Sequence, residues 1–209
     1  MDEKRDFNAQ ASSWDDNPVR VKLAQDVADA IISSVKITPD TDVLDFGCGT
    51  GLVTLALSRH AGSITGADSS RGMLEALDRK ISLAGISNVK TLYYDADDNA
   101  PIPGSYGVIV SSMAFHHVRD VAALIRRLHE ALVPGGKLCV ADLDPDEGLF
   151  HSDNTGVFHF GFEREDLRRV FTTAGFLEVR DITATEVIRP VSGGSMSFSV
   201  FLLTGIKPL

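Results

Sequence analysis

The chain has 209 residues, 44% of them hydrophobic, which is enough chain for one compact domain with a sizeable core. Its formal charge of −9 at pH 7 argues against a nucleic-acid partner, because binding to a phosphate backbone depends on basic residues. The N-terminus is charged and no apolar run approaches the roughly 20 residues of a membrane span, so we expect a cytoplasmic protein without membrane association.

The N-terminal segment combines isolated aromatic residues with a helical repeat. Asn17-Pro18 interrupts the chain, and apolar residues beyond it recur at helical spacing, which predicts a helix over residues 18–35. Phe7 and Trp14 precede this helix, and one role for Trp14 is to attach the helix to a neighbouring sheet.

The strongest local signal is the stretch Val43–Gly51. A short apolar run contains Asp45, glycines then occupy every second position from 47 to 51, and a helical pattern begins at Leu52. Glycine is needed where the backbone takes positive φ or where a ligand approaches closely, and such a turn at the carboxyl end of a first strand is where α/β sheets bind cofactors. A dinucleotide fingerprint requires a glycine at position 52, so Leu52 argues against a nicotinamide site.

The rest of the chain alternates strands and helices, which is the order of an α/β fold. Further strands are predicted over residues 63–67, 88–94, 106–112, 137–143, 177–189 and 198–204, and helices over 118–132 and 163–174. Because no helix separates the last two strands, we expect them to pair antiparallel. The two cysteines, Cys48 and Cys139, fall in the glycine turn and a core strand, and so indicate no disulfide framework.

Asp68 directly follows the strand predicted over residues 63–67 and lies about 20 positions beyond the glycine turn. A carboxylate in that place can accept both hydroxyls of a ribose, so Asp68 is a candidate for contact with an adenosine.

Histidines concentrate in two places after the strand over residues 106–112. His116 and His117 follow that strand directly, and the aperiodic stretch 144–162 contains His151 and His159 together with Phe160. A loop of this length in a compact domain is usually functional, so we expect it to cover the substrate. The histidines and nearby aspartates show no recognised ligand spacing, and we therefore expect no metal.

The stretch 43–51 resembles the first motif of class I S-adenosylmethionine (SAM)-dependent methyltransferases. The likeness covers about residues 7–206, is specific from 43 to 118 and is generic afterwards. It implies a Rossmann-like α/β fold, with a seven-stranded, mostly parallel sheet whose last strand is antiparallel, and helices on both faces. We expect a single methyltransferase domain, with an N-terminal lid and helix over 1–36, a SAM-binding core over 37–209 and a substrate-facing loop over 144–162.

The resemblance also implies which residues bind SAM. Asp45 and the glycine turn would hold the amino-acid moiety, Asp68 the ribose, and Asp95 the adenine amine. The full expected set is Asp45, Gly47, Cys48, Gly49, Gly51, Asp68, Ser69, Met73, Asp95, Ala96, Ser111 and Ser112. Ser69 or Ser70 is also suited to cap a helix, and Met73 to pack in the core.

Three further expectations follow from the same resemblance. An aromatic residue ahead of the first strand would fold over the cofactor, which makes Phe7 and Trp14 candidates for a lid. Asp97 and Asp98 are left to solvent. Where the family often has an aspartate before the apolar core of the fourth strand, this chain has Gly107, which weakens a local hydrogen bond.

We therefore expect a SAM-dependent methyltransferase that acts on an oxygen, nitrogen or carbon atom of a small molecule and releases S-adenosylhomocysteine (SAH). His116, His117, His151, His159 and Phe160 would face the acceptor, and His116 or His117 is a candidate general base. Such a base is not obligatory, because alignment of donor and acceptor supplies much of the rate. A non-catalytic SAM sensor or partner-binding module remains an alternative, as does, with less support, a nicotinamide-dependent oxidoreductase. The assembly would be a monomer or homodimer.

Overall fold

The fold is organised around one sheet. The computed structural model describes residues 5–191 and 194–209. Within these ranges the strands are β1 (Asp42–Phe46), β2 (Ser63–Asp68), β3 (Val89–Tyr93), β4 (Tyr106–Ser112), β5 (Leu132–Leu143), β6 (Leu177–Val191) and β7 (Gly194–Ile206). Their order is β3-β2-β1-β4-β5-β7-β6, and β7 runs antiparallel to both of its neighbours. The expected seven-stranded sheet with an antiparallel last strand is confirmed.

Helices precede the first strand and form four of the later connections. They are α1 (Pro18–Ser34), α2 (Leu52–Leu57), α3 (Arg71–Ala84), α4 (Val121–Ala131) and α5 (Arg164–Thr173), with 3-10 segments at Asn8–Asp16, Ala96–Asp98 and Phe115–His117. Side chains set where several of them begin: the Asn17 side chain caps α1, Ser70 caps α3 and Asp120 caps α4. None of these helices is both long and apolar enough to cross a bilayer.

The core lies on both faces of the sheet. On one face, α1 and α2 pack residues such as Val27, Ile31 and Leu57 against the strands. On the other face, α4 and α5 bury Leu124 and Phe171. Helices therefore cover both faces, as the fold class predicts, and the strand ends that carry polar residues are left at the edge of the sheet.

The last two strands extend further than their sequence pattern indicates. The expected strands over 177–189 and 198–204 are observed as β6 to Val191 and β7 from Gly194. The connection is therefore shorter than the expected turn over 190–195, and positions 192 and 193 lie outside the described residues. The pattern misled because residues 194–197 at the tip of this hairpin are all exposed, so no apolar alternation marks them as a strand.

The start of β5 also differs from expectation. The sequence places it at Lys137, whereas the strand begins at Leu132, directly after α4. Its pairing with β4 shifts register between Tyr106 and Val108. Gly107 lies at this irregularity.

Candidate active site

A cavity of about 430 Å³ opens at the carboxyl ends of β1 to β4, a volume within the range of small-molecule sites. Its wall has two parts. One part, here called the glycine side, consists of lining residues from 45–53, 68–73 and 94–97. The other, the histidine side, consists of lining residues from 112–118, 150–156 and 187–190. Residues 5–16, here called the cover segment, contribute lining residues next to both.

Glycine is required at two positions of the turn after β1. Gly47 has φ 71° and a side chain there would collide with Ala114, whereas Gly51 has φ 83° and would collide with Leu77. An added side chain at Gly49 would instead meet nothing within 4 Å. Gly49 lines the cavity and Gly51 does not, so the structure does not bring Gly51 to the expected binding surface.

Asp45 is a buried carboxyl group on the cavity wall. It is 1% exposed, and Thr54 Oγ1 donates a 2.5 Å hydrogen bond to its Oδ2. Burial raises the pKa of Asp45 to about 6, and the charge of Asp68 adds to this rise while the bond from Thr54 opposes it. A bound cation would relieve the cost of ionising this group.

Asp68 ties the glycine turn to α3. Its Oδ2 accepts from the Gly49 amide and its Oδ1 from the Ser70 amide, both at 2.8 Å. These two bonds hold the carboxylate at the cavity wall, which Asp68 lines. Ser69 lines the cavity beside Asp68, while Ser70 caps the helix.

The residues expected to contact the adenine lie on the cavity wall. Asp95 and Ala96 line the cavity opposite Met73, which is buried. The Asp95 side chain accepts from the Asp97 amide at 3.0 Å, which fixes the 3-10 turn. Asp97 is exposed and also lines the cavity, so it lies at the opening rather than entirely in solvent.

The two serines at the end of β4 have different environments. Ser112 lines the cavity. Ser111 is fully buried in the sheet, does not line the cavity, and its Oγ has no hydrogen-bond partner among the described residues. The expected cofactor contact is with the backbone near Ser111 and Ser112, and it stays a prediction.

Cys48 lies in the glycine turn and lines the cavity as a buried thiol. Burial raises its pKa well above the usual range, and the charges of Asp45 and Asp68 act in the same direction. Cys139, in β5, is also buried and free, and burial raises its pKa to about 12. Both side chains therefore remain protonated thiols near neutral pH.

Three histidines meet on the histidine side. The Nε2 atoms of His116 and His151 are 3.2 Å apart, and the His117 ring lies 4.2 Å from the His116 ring between centroids. His116 Nδ1 is 2.7 Å from Asp142 Oδ1, and His117 Nδ1 is 2.7 Å from the Gly156 carbonyl oxygen. The structure thus brings together residues that are up to 39 positions apart.

Electrostatics keep two of these imidazoles neutral at pH 7. Burial, followed by the charge of His116, lowers the pKa of His117 to about 4 and that of His151 to about 3. Burial opposes ionisation of Asp142, but the charge and hydrogen bonds of His116 outweigh it and lower the Asp142 pKa. The cluster therefore contains one buried carboxylate and imidazole nitrogens that can accept a proton or a metal ion.

His159 and Phe160 do not reach the cavity, which corrects the expectation that they face the substrate. His159 Nε2 bonds the Val118 carbonyl at 2.9 Å, and Phe160 is 48% exposed. The cause is local backbone geometry. The Phe158 and His159 amides both donate to the His116 carbonyl, which fixes this end of the loop against the histidine turn.

The cover segment is fastened to the glycine side by side-chain hydrogen bonds. Asn8 Oδ1 accepts from the Gly72 amide and from Ser70 Oγ, both at 2.9 Å. Further along, Asp15 accepts from Thr50 Oγ1 at 2.6 Å and pairs with Lys80.

Both aromatic residues of the cover segment line the cavity. The Phe7 ring makes T-shaped contacts with Trp14 and His117, with ring centroids 6.0 Å and 5.1 Å apart. Trp14 is partly buried on the cavity wall, beside the Arg20 guanidinium 3.8 Å from its ring centroid. This placement is that of a cover, although the role of Phe7 and Trp14 as a lid over the cofactor stays a prediction.

The cover segment also touches the loop over 144–162. Gly156 has φ 70°, and a side chain there would collide with the backbone of Arg5. Arg5 Nη1 donates to the Asp153 carbonyl at 3.4 Å. The two coverings of the cavity therefore form one continuous surface.

Three arginines on the wall were missed by the sequence analysis. Arg5, Arg20 and Arg189 all line the cavity, and Arg189 lies 4.6 Å from the Phe150 ring centroid. Burial, and then the charges of Arg189 and Arg5, lower the pKa of Arg20, which shows that the three cations are close enough to repel. They come from three separate segments, so no local spacing in the sequence could have indicated the group.

Comparison with known proteins agrees with this geometry. Residues 43–136 match a family model described as a methyltransferase domain. An uncharacterized methyltransferase of Schizosaccharomyces pombe is 31% identical over 147 residues, which are 63% of this chain and only 52% of that protein. The demethylmenaquinone methyltransferase of Staphylococcus aureus is 26% identical, over 78% of this chain and 76% of its own length.

A solved structure shares the fold. The YcgJ protein from Bacillus subtilis has a TM-score of 0.75 at 19% identity, and the match covers 88% of this chain and 99% of that one. The family match begins in β1 and includes the glycine turn, Asp68 and Asp95, the same stretch that carries the sequence resemblance. Over residues 43–136 the chain is therefore similar to methyltransferase domains, and its fold is the Rossmann-like one expected from the resemblance to class I S-adenosylmethionine-dependent methyltransferases.

Proposed function

We propose that this protein transfers a methyl group from SAM to an anionic small molecule. The observation that carries the proposal is that one cavity joins the glycine side, the three histidines and three arginines. The glycine side suits the cofactor. The histidines suit the reactive atom of an acceptor, and the arginines suit its negative charge. The whole sequence is proposed to act as one domain.

The residues of the glycine side fit SAM. The open space beside Gly49 lets a ligand approach the backbone closely. The buried Asp45 carboxyl suits the ligand's ammonium group, since that cation would offset the cost of burying the negative charge. The Asp68 carboxylate on the cavity wall suits the ribose hydroxyls, and Asp95, Ala96 and Met73 line the cavity where the adenine would bind.

SAM supplies an electrophilic methyl group on a sulfonium. This chain's contribution is to hold the acceptor in line with that group and to keep water out, through the cover segment and the loop over 144–162. An acceptor hydroxyl or amine must also lose a proton. His116 is suited to take it, because Asp142 binds Nδ1 and leaves Nε2 as the acceptor atom.

The arginines indicate the charge of the acceptor. In an acidic chain, Arg5, Arg20 and Arg189 gather on one wall, and none of them pairs with a carboxylate among the described residues. Arg5 Nε is also buried, and it has no hydrogen-bond partner among the described residues. A carboxylate or phosphate group on the acceptor would relieve their mutual repulsion and accept bidentate hydrogen bonds.

The alternatives have less support. A non-catalytic sensor would have the loop over 144–162 fill the acceptor space, whereas Phe150, His151 and Gly156 line a cavity of about 430 Å³. A nicotinamide enzyme would need the third glycine of its fingerprint, and Leu52 occupies that position.

The cofactor is tested by calorimetric titration with SAH and, separately, with NADH. We expect binding of SAH alone, accompanied by a change in the fluorescence of Trp14, the one tryptophan of the chain. Binding of NADH alone, or of neither, would overturn the assignment.

The acceptor class is tested by turnover of SAM with matched pairs of small molecules that differ only in a carboxylate or phosphate group. We expect turnover of the anionic members. Arg189→Gln should raise their KM about tenfold and leave the Kd for SAH unchanged, because one charge-assisted contact is lost. Arg59→Gln, an exposed arginine, is the control. Equal turnover of the neutral members would contradict the proposal.

A further inference from the structure

We propose that His116, His117 and His151 bind a divalent transition metal, with Zn²⁺ as the best match, and that this metal holds the nucleophilic atom of the acceptor. The metal site depends only on the geometry of the cluster. The second half of the statement rests on the proposed methyl transfer. It replaces the expectation, drawn from ligand spacing in the sequence, that the chain binds no metal.

The distances within the cluster fit a metal ion. One ligand atom from each histidine lies within 4.8 Å of the other two. Two ligands of a tetrahedral zinc ion with Zn–N bonds of 2.0–2.1 Å are about 3.3 Å apart. The separation of 3.2 Å between His116 Nε2 and His151 Nε2 is therefore already that of a coordinated pair. The separations to His117 are at most 4.8 Å, so they need to shorten by at most about 1.5 Å to complete the set.

The groups behind the histidines orient them as ligands. Asp142 Oδ1 lies 2.7 Å from His116 Nδ1, and the Gly156 carbonyl lies 2.7 Å from His117 Nδ1. An oxygen acceptor on Nδ1 places the proton there and leaves the Nε2 lone pair for a metal. Carboxylate and carbonyl partners of this kind are typical of metal-binding histidines.

A metal ion can replace the hydrogen bond between His116 and His151. With the His116 Nδ1 proton directed to Asp142, His116 Nε2 is an acceptor, so His151 must donate from Nε2 to avoid two lone pairs 3.2 Å apart. A metal ion satisfies both nitrogens at once, after the His151 proton moves to Nδ1. No proton need be released from the neutral imidazoles.

The site would be open on the side of the acceptor. All three histidines line the cavity, and three protein ligands leave the fourth tetrahedral position to a solvent or substrate atom, as in catalytic zinc sites. This location, opposite the glycine side, is where the acceptor's reactive atom must lie.

A metal there would activate a hydroxyl or thiol acceptor. The acceptor oxygen or sulfur binds the ion, and its pKa falls, so its proton is released to solvent water. The resulting anion attacks the methyl carbon, a new carbon–oxygen or carbon–sulfur bond forms, and the carbon–sulfonium bond breaks with its electron pair going to the departing SAH. In this form His116 is a ligand, so the general-base role and the metal role for His116 are alternatives.

Metal binding is tested on untagged, chelator-treated protein titrated with Zn²⁺ in a calorimeter. We expect about one Zn²⁺ per chain, and a Co²⁺ complex with the visible absorption of a tetrahedral ion. His151→Asn removes one of three ligands and should weaken Zn²⁺ binding at least about 100-fold. His159→Asn is the matched control, because His159 lies in the same loop but outside the cavity.

Two results would overturn the metal site: no stoichiometric Zn²⁺ binding to the unsubstituted protein, or equal Zn²⁺ affinity in His151→Asn. The Kd for SAH is measured in parallel and should not change with His151→Asn or with chelator. Loss of SAH binding in all samples would count against the methyltransferase proposal and leave the metal result standing. Turnover that survives chelator treatment undiminished would overturn the role of the metal in holding the acceptor.

Discussion

The glycine side and the histidine side of the cavity are built in different ways. On the glycine side, bonds join a turn to the next strand or a residue to its near neighbour, as in Gly49 to Asp68 and Asp95 to Asp97. On the histidine side, His116 reaches Asp142 and His151, and Gly156 lies against Arg5. The first arrangement is encoded by a short motif, and the second depends on the complete fold.

This contrast separates what is general from what is specific. The proposed cofactor contacts lie within adjacent βα units, which a short motif can encode. The proposed acceptor contacts come from five segments that are distant in sequence, at Arg5, Arg20, His116–His117, His151 and Arg189. We therefore expect substitutions on the two sides to separate cofactor binding from acceptor selection.

The largest effect is expected at Asp68. Asp68→Ala removes the proposed contacts to two ribose hydroxyls and the bonds to the Gly49 and Ser70 amides, and should weaken SAH at least about 100-fold. The measurement is calorimetric titration, with circular dichroism to establish that the fold persists. Asp78→Ala, which removes an exposed bond to Thr91, is the control. An affinity unchanged within about threefold would exclude Asp68 as the ribose ligand.

A smaller effect is expected from the protonation of Asp45. With a pKa raised to about 6, Asp45 is ionised at pH 7 and mostly neutral one unit below its pKa. If the carboxylate binds the ammonium group, SAH affinity should fall about tenfold between pH 7 and about pH 5. Titrations at both pH values test this, and Asp45→Asn should abolish the pH dependence. A flat profile in the unsubstituted protein would contradict the assignment.

The free energy of unfolding of the ligand-free protein should decrease as the pH rises, whereas the SAH affinity increases. The folded Asp45 holds its proton between its unfolded pKa of 3.8 and about 6, so the free energy of unfolding decreases as pH rises through that interval. Asp45→Asn removes this loss and should raise the free energy of unfolding at neutral pH by about 2–3 kcal/mol. Denaturant titration of both proteins measures the difference.

A change of about fivefold is expected at the cover segment. Asn8→Ala removes two hydrogen bonds that hold this segment over the glycine side, worth about 1 kcal/mol together in a partly exposed place. SAH should bind about fivefold more weakly. Ser12→Ala, on the exposed surface of the same segment, should leave the affinity unchanged. Equal affinity in the two variants would show that Asn8 does not help to close the site.

The smallest effect is expected between the two sides, at Ser111. Its Oγ is buried without a partner among the described residues, so Ser111→Ala should raise the free energy of unfolding by up to about 1 kcal/mol. Because its side chain does not line the cavity, the Kd for SAH should stay the same. A weaker affinity for SAH would show that the Ser111 side chain contributes to cofactor binding.

The sequence was sufficient for the fold and for the glycine side. Apolar runs that end in Asp45, Asp68 and Tyr94 identify parallel strands, and their carboxyl ends must meet at one edge of the sheet. Gly51 shows where such reasoning stops. The motif contains it, but positive φ and contact with Leu77, rather than the cavity, account for it.

The histidine side could be predicted only in outline. Composition indicated that the loop over 144–162 is functional, but not which side chains turn inward. His151 and His159 have the same residue type and lie in the same loop, yet only His151 reaches the cavity. The difference arises from backbone bonds between Phe158, His159 and the His116 carbonyl, which are long-range contacts without a sequence signature.

The close approach of Gly156 to Arg5 has a consequence for turnover. The loop and the N-terminal residues abut there without space for a side chain at position 156, so the two segments close the cavity together. We expect the two to separate as one gate, so that exit of the methylated product and exchange of spent SAH share a single opening step. Each catalytic cycle would then be limited by that step rather than by chemistry. Gly156→Ala would push the loop and the N-terminal residues apart, admit water to the cavity and shorten the residence time of bound ligands.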